Sequence, residues 1–151
     1  MGRCSWVPEP AQSNDIKAML DLWRSIPGLG LGWGDEEDRL QVFLARNPST
    51  CQVLKDGARV IGTILGGYDG RRGYVYHLAV HPDYRRRGCG TALVKKVTEE
   101  FTKLGVKKIH LFVFGTNEAA IKFYQCTGWL LRGDIKVFTR DTDETEKGCG
   151  C

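Results

Sequence analysis

The sequence has no long hydrophobic run and none of the common cysteine or histidine patterns for metal binding. Its longest apolar stretches, such as residues 108–114, fall far short of the roughly 18–20 residues that a spanning helix needs. No apolar leader opens the chain, so we expect no membrane partner and a cytoplasmic location. Because Cys-x-x-Cys and His-Glu-x-x-His are both missing, we expect no metal. The 6 cysteines are interpreted as reduced thiols, since a domain of this size needs no disulfides.

The composition is close to that of an average globular protein. The chain has 151 residues, of which 42% are hydrophobic and 26% are charged, which predicts one domain over residues 1–140 and a disordered tail over 141–151. The net charge is only +4, but its positive excess is concentrated between Arg85 and Lys108. Such a segment favours an anionic partner, either nucleic acid or a phosphorylated small molecule.

The hydrophobic pattern alternates between helical and strand periods along the chain. An Asp56-Gly57 turn predicts a hairpin, and Gly105 stands where a helix C-cap belongs. Helices are predicted at 15–24, 35–46, from Gly88 to Gly105 and at 117–125. Strands are predicted at 51–55, 59–66, 74–80, 108–114, 129–131 and 135–139. This order is typical of an α+β fold, an α/β/α sandwich about one sheet.

One junction carries most of the chemical information. An apolar strand ending at Val80 is followed by three arginines, and then Gly88 and Gly90 open a long helix. Unpaired N–H groups at a helix start, together with the helix dipole, bind phosphate. Leu93 stands where a dinucleotide-binding loop requires its third glycine, and no Lys-Ser/Thr pair follows as in a nucleotide triphosphatase. The pattern predicts a phosphate cradle of another kind.

Two motifs resemble those of the GNAT superfamily of acetyl-CoA-dependent N-acetyltransferases. The first is Arg/Gln-x-x-Gly-x-Gly/Ala, matched by residues 85–90 after the strand residues 78–80 and His81-Pro82. The second is an Asn, a helix and Phe-Tyr-x-x-x-Gly-Trp, matched by residues 117–129. Residues 60–70 also look like the small bacterial members called YpeA-like. The resemblance implies a mixed, mostly antiparallel sheet of about six or seven strands flanked by about four helices.

The resemblance implies acetyl-CoA as co-substrate and a set of residues that hold it. The backbone of the strand residues would pair with the pantetheine arm, and one N–H there would polarise the thioester carbonyl. Amides of the loop and the helix start would bind the pyrophosphate, and the arginine side chains would add charge. The cofactor residues implied are Leu78, Ala79, Val80, Arg85, Arg86, Arg87, Gly88, Cys89, Gly90, Thr91, Asn117, Ala120 and Tyr124.

The resemblance also makes Tyr124 the general acid that protonates the departing thiolate. The general base stays open between Tyr74, His77, His110 and water. His77 has a suitable intrinsic pKa, although simple alternation places it on the face opposite Tyr74 unless a bulge reverses it. Trp33, Tyr68 and Tyr74 are expected on the acceptor side.

The function expected is transfer of the acetyl group to a primary amine by direct attack in a ternary complex. The acceptor would be a small molecule or a peptide, and the alternative within the class is a protein N-terminal or lysine acetyltransferase. A nucleic-acid-binding module and a non-catalytic CoA sensor are the alternatives of other classes, and we expect no nucleic-acid partner. The protein would be a monomer or a homodimer. We interpret the lipidation-like features at Gly2 and at Cys149 and Cys151 as incidental.

Overall fold

A computed structural model describes residues 3–143. The chain divides into two compact units, Met1–Phe112 and Val113–Cys151, so the single domain over 1–140 stays a prediction. Gly2, Cys149 and Cys151, together with most of the predicted tail, lie outside the described residues.

The first unit contains a five-stranded sheet with the strands in chain order. β1 (Glu9–Pro10), β2 (Gln52–Asp56), β3 (Arg59–Tyr68) and β4 (Gly73–Val80) are antiparallel neighbours, and β5 (Ile109–Leu111) runs parallel to β4. The predicted hairpin is confirmed, with Gly57 at φ 62° in its turn. The mixed sheet and its helices confirm the α+β fold class, with five strands among residues 3–143 rather than the six or seven expected.

Three helices belong to this unit: α1 (Ile16–Ser25), α2 (Glu37–Arg46) and α3 (Cys89–Lys103). Successive β3 residues face opposite sides of the sheet. Thr63 bonds the Trp23 indole of α1, while a Cβ on Gly62 would lie 3.2 Å from Leu93 of α3. The helices α1 and α3 therefore cover opposite faces. The predicted stripe of α1 is buried at Ile16, Met19, Leu20 and Trp23.

Close packing of α3 on the sheet depends on glycine at two strand positions. A Cβ on Gly73 would lie 2.7 Å from the Phe101 ring, and one on Gly66 would lie 2.7 Å from the Thr50 carbonyl oxygen and 2.9 Å from Val97. These separations are shorter than van der Waals contact, so no side chain fits there without movement. The small residues let α3 approach the backbone of the strands.

The second unit contains α4 (Glu118–Cys126), as the pattern predicts. The strands predicted at 129–131 and 135–139 are wrong, because neither segment is a strand in the structure, and the strand predicted at 108–114 is reduced to Ile109–Leu111. Alternating apolar residues make a strand only where a partner strand pairs with them. Leu130 and Phe138 accordingly have 83% and 95% of their surface exposed.

Candidate active site

The C-terminal half of β4 has a partner strand on one side. β5 pairs with Gly73, Tyr74 and Val75 only, whereas β3 continues along β4 to Val80. Leu78 to Val80 therefore carry backbone N–H and C=O groups on the side away from β3 that β5 does not use. Arg85 Nε donates one hydrogen bond there, to the Val80 carbonyl at 3.1 Å. An extended ligand can pair with such an edge as an additional strand does.

A β-bulge interrupts β4 at His77. The pairing register with β3 shifts between Thr63 and Leu65, and His77 adopts φ 48°, a left-handed conformation that is uncommon for residues other than glycine. Tyr76 then contacts Phe43 of α2, with ring centroids 6.2 Å apart. His77 lies on the same face of the sheet against Trp23 of α1, at 4.7 Å. The prediction from simple alternation, which placed His77 on the opposite face, is wrong because the bulge inserts one extra residue.

The imidazole of His77 is held by a carboxylate from the loop before α2. His77 Nε2 lies 2.8 Å from Asp35 Oδ1, and the two side chains are only 19% and 17% exposed. The second oxygen of this carboxylate accepts the N–H of Gly32 at 2.8 Å, which fixes its orientation. The sequence pattern assigned Asp35 no role beyond the start of the helix predicted at 35–46. The contact depends on the bulge at His77, and no local sequence pattern indicates that bulge.

A hydroxyl supports the backbone of the bulge. Thr63 Oγ1 donates to the His77 carbonyl at 3.0 Å and accepts the Trp23 indole N–H at 2.8 Å. Thr63 and Trp23 are both fully buried. The strained His77, its ring partner Trp23 and the Thr63 hydroxyl that donates to its carbonyl therefore belong to one network. Such a network can hold a backbone conformation that is costly by itself.

The start of α3 is an anion-binding geometry. A short 3₁₀ turn, Pro82–Tyr84, leads into Arg86 at φ 61° and Gly88 at φ 76°. The N-cap of α3 is Gly88, which has no side chain that could cap the first N–H groups of the helix. The N–H groups of Cys89, Gly90 and Thr91 occupy the first helical turn, where no intrahelical acceptor exists. That turn has no acidic side chain to compete for them.

The three arginines of this loop have different surroundings. Arg85 is bound to the Val80 carbonyl. The Arg87 guanidinium carbon lies 5.6 Å from the ring centre of Tyr84 and 6.0 Å from that of Trp6. The side chain of Arg86 is exposed. All three are positive groups within a few residues of the helix start, where phosphate binding benefits from added charge.

Two of the three expected acceptor-side residues lie together. Tyr68 and Tyr74 line a cavity of about 320 Å³ with Tyr76 and the α2 residues Arg39 and Phe43. Burial raises the pKa of Tyr76 above its ordinary value.

Trp33 is not among the residues that line this cavity. Trp33 is 83% exposed, and the guanidinium carbon of Arg39 lies 5.6 Å from the centre of its ring. His110, the other histidine weighed as base, lies on β5 with its ring centre 5.8 Å from that of Tyr74.

In the second unit, α4 positions the residues of the second motif. Asn117 is its N-cap, and its side-chain oxygen accepts the N–H of Ala120 at 3.1 Å. Tyr124 is half-buried, with ring centres 5.1 Å from Phe123 and 5.7 Å from Trp129. Burial raises the pKa of Tyr124 to about 12. Its phenol is therefore protonated at any physiological pH, as a proton donor must be.

The sequence matches one protein-family model, described as the acetyltransferase (GNAT) family, over residues 16–129. The chain belongs to this family. An acetyltransferase of Sodalis glossinidius is 38% identical over 112 residues, which are 74% of this chain and 78% of that protein. The chain is accordingly an acyltransferase. The matched region begins at α1 and leaves residues 1–15 outside it.

Solved structures of N-acetyltransferases share the fold of the chain. The PaiA N-acetyltransferase of Thermoplasma acidophilum, in complex with coenzyme A, superposes with a TM-score of 0.74 at 16% identity, covering 85% of this chain and 91% of that one. The ribosomal-protein-S18-alanine N-acetyltransferase of Escherichia coli superposes with a TM-score of 0.65 at 22% identity, covering 82% and 76%.

Two further findings apply to residues 3–143. No helix among them is long and apolar enough to cross a membrane. Their His, Cys, Asp and Glu side chains form no group of three that could hold a metal ion.

Proposed function

We propose that this GNAT acyltransferase binds acetyl-CoA and transfers its acetyl group directly to a primary amine in a ternary complex. One observation carries the proposal. The strand edge Leu78–Val80, which β5 does not pair with, is followed within ten residues by the start of α3, whose first turn has three N–H groups without an intrahelical acceptor. A ligand with an extended amide arm and a pyrophosphate fits both features. Acetyl-CoA has both parts.

The residues present fit this co-substrate. The amides of Cys89, Gly90 and Thr91 would hold the pyrophosphate, with Arg85 to Arg87 supplying positive charge. The backbone of Leu78 to Val80 would pair with the pantetheine arm. One N–H of this edge would also stabilise the negative charge that develops on the thioester oxygen. The acetyl group would then lie near the bulge at His77.

We propose His77 as the general base and Asp35 as the residue that orients it. Because Asp35 accepts from Nε2, the neutral ring carries its proton on that nitrogen and keeps its lone pair on Nδ1. Nδ1 would take the proton from the ammonium form of the acceptor, which leaves an amine able to attack. The arrangement resembles other sites in which a carboxylate fixes the histidine tautomer.

We propose Tyr124 as the general acid, on the strength of its motif and its protonated phenol. It would donate a proton to the thiolate of coenzyme A as the carbon–sulfur bond breaks. Asn117 contributes the cap of α4, and its contact with the co-substrate stays a prediction from the resemblance.

Turnover with a panel of amines tests this proposal. Release of coenzyme A is measured with a polyamine, an aminoglycoside, lysine peptides and peptides with free N-termini. Release with a small amine identifies a small-molecule enzyme, whereas release with peptides alone identifies the protein acetyltransferase alternative. Cofactor binding without turnover on any amine would contradict the proposal and favour a sensor. Salt-sensitive binding to DNA with no cofactor binding would favour the nucleic-acid module.

A further inference from the structure

The N-terminal segment, residues 4–7, contacts the proposed phosphate cradle. It precedes the span 16–129 that matches the family, so it is a feature of this chain outside the matched region. The Sγ atoms of Cys4 and Cys89 are 3.4 Å apart, although 85 positions separate them in sequence. Cys89 is the first residue of α3, and its N–H is one of the proposed pyrophosphate donors.

Aromatic contacts hold the same segment against the loop. The ring of Trp6 meets that of Tyr84 edge to face at 5.1 Å. The Arg87 guanidinium lies within 6.0 Å of both ring centres, in the range of cation–π attraction. The segment therefore engages an arginine of the cradle and places a thiol at the first residue of the helix.

The two thiols differ in access. Cys89 is 2% exposed, and burial raises its pKa to about 12. Cys4 is half-buried and is the more accessible of the pair. Cys51 is buried and its thiol faces the Gly66 carbonyl, while Cys126 is exposed in the second unit. Within residues 3–143, Cys4 and Cys89 are the two cysteines whose sulfur atoms lie in contact.

We propose that Cys4 and Cys89 are a site of reversible disulfide formation that fixes the N-terminal segment across the cradle and weakens binding of coenzyme A. A disulfide bond is about 2.05 Å long, so the sulfurs need to approach by roughly 1.4 Å. The cross-link would hold the Arg87 guanidinium near the rings of Trp6 and Tyr84. The guanidinium could then not reach a phosphate group of the co-substrate. The effect on the cofactor rests on the proposed function, whereas formation of the disulfide does not.

The oxidant is a small-molecule disulfide, RS–SR. The Cys4 thiolate attacks one of its sulfurs, which forms Cys4–S–SR and releases RS⁻. Cys89 then loses its proton to solvent and attacks the Cys4 sulfur, which releases the second RS⁻. The two protein thiols are oxidised by two electrons, the reagent is reduced to two thiols, and the two protons end on RS⁻. Because Cys89 is buried, the second step is the slower one.

Peptide mapping tests the disulfide directly. The reduced protein is incubated with oxidised glutathione, free thiols are alkylated, and the protein is digested with trypsin. We expect residues 4–17 linked to residues 88–95 by one disulfide that dithiothreitol removes. Cys126→Ser, a change outside the pair, should leave this link intact, and Cys4→Ser should abolish it. Absence of the linked peptides from the wild type would overturn the proposal.

Calorimetry with acetyl-CoA tests the consequence. Oxidised wild type should bind about tenfold more weakly than reduced wild type, the loss expected when one charge-assisted contact to phosphate is not made. Cys4→Ser treated with the same reagent should bind as tightly as reduced wild type. Equal affinity of linked and reduced wild type would overturn the role assigned to the link. If the reduced protein binds no acetyl-CoA, the proposed function fails, while the mapping still decides the disulfide.

Discussion

Thr63→Val should destabilise the protein strongly for a change that nearly preserves side-chain volume. The hydroxyl accepts the Trp23 indole N–H at 2.8 Å and donates to the His77 carbonyl at 3.0 Å. Valine leaves the indole N–H without a partner in a fully buried position. An unsatisfied buried donor costs about 1–3 kcal/mol, and the lost bond to His77 adds to this. We expect a loss of about 2–3 kcal/mol in the free energy of unfolding.

Urea denaturation followed by tryptophan fluorescence measures this loss. With an m value of about 2–3 kcal/mol/M, the midpoint should fall by roughly 1 M. Thr98→Val is the matched control, because its hydroxyl bonds only the Val94 carbonyl within α3 at 2.8 Å, an acceptor that the helix already uses. If Thr63→Val and Thr98→Val shift the midpoint equally, the buried network around the bulge does not have the importance assigned to it.

Three further predictions concern activity, titration and packing. Asp35→Asn should lower kcat about a hundredfold with little change in the KM for acetyl-CoA, whereas Asp38→Asn, an exposed change in α2, should leave both near wild type. The absorbance difference at 295 nm between wild type and Tyr124→Phe should show a phenol that titrates near pH 12, and a transition near pH 10 would contradict its burial. The pKa of Tyr124 in the folded protein lies above its unfolded value of about 10. The contribution of the neutral phenol to the free energy of unfolding is therefore complete below pH 10 and is lost as the pH rises toward 12. Gly66→Ala should cost about 1–3 kcal/mol in urea unfolding, because its Cβ would lie 2.7 Å from a backbone oxygen, and Gly133→Ala, with open space around it, should cost little.

The sequence predicts the elements whose pattern repeats over several turns or lies at a distinctive junction. The stripe of α1 and the glycines at the start of α3 depend on local spacing, and the structure has both helices where the pattern placed them. The strands expected at 129–131 and 135–139 are absent from the structure because a strand depends on a partner that local spacing does not specify.

The contacts at the candidate site depend on residues far apart in the chain. The bulge at His77 needs a positive φ in a residue that gives no sign of it in sequence. It brings His77 to Asp35, which is 42 positions away. The contact of Cys4 with Cys89 spans 85 positions. Spacing along one strand or helix cannot show such contacts.

Isothermal titration of the reduced protein with acetyl-CoA tests whether the start of α3 binds the pyrophosphate. We expect one binding site per chain in the wild type and binding about a hundredfold weaker or undetectable in Gly90→Glu, whose carboxylate would face the pyrophosphate. Gly30→Glu, at an exposed glycine with no neighbouring atoms within 4 Å of the added Cβ, should bind as the wild type does. No binding by the wild type at high micromolar acetyl-CoA, or equal binding by Gly90→Glu, would contradict the assignment of the α3 start as the phosphate cradle.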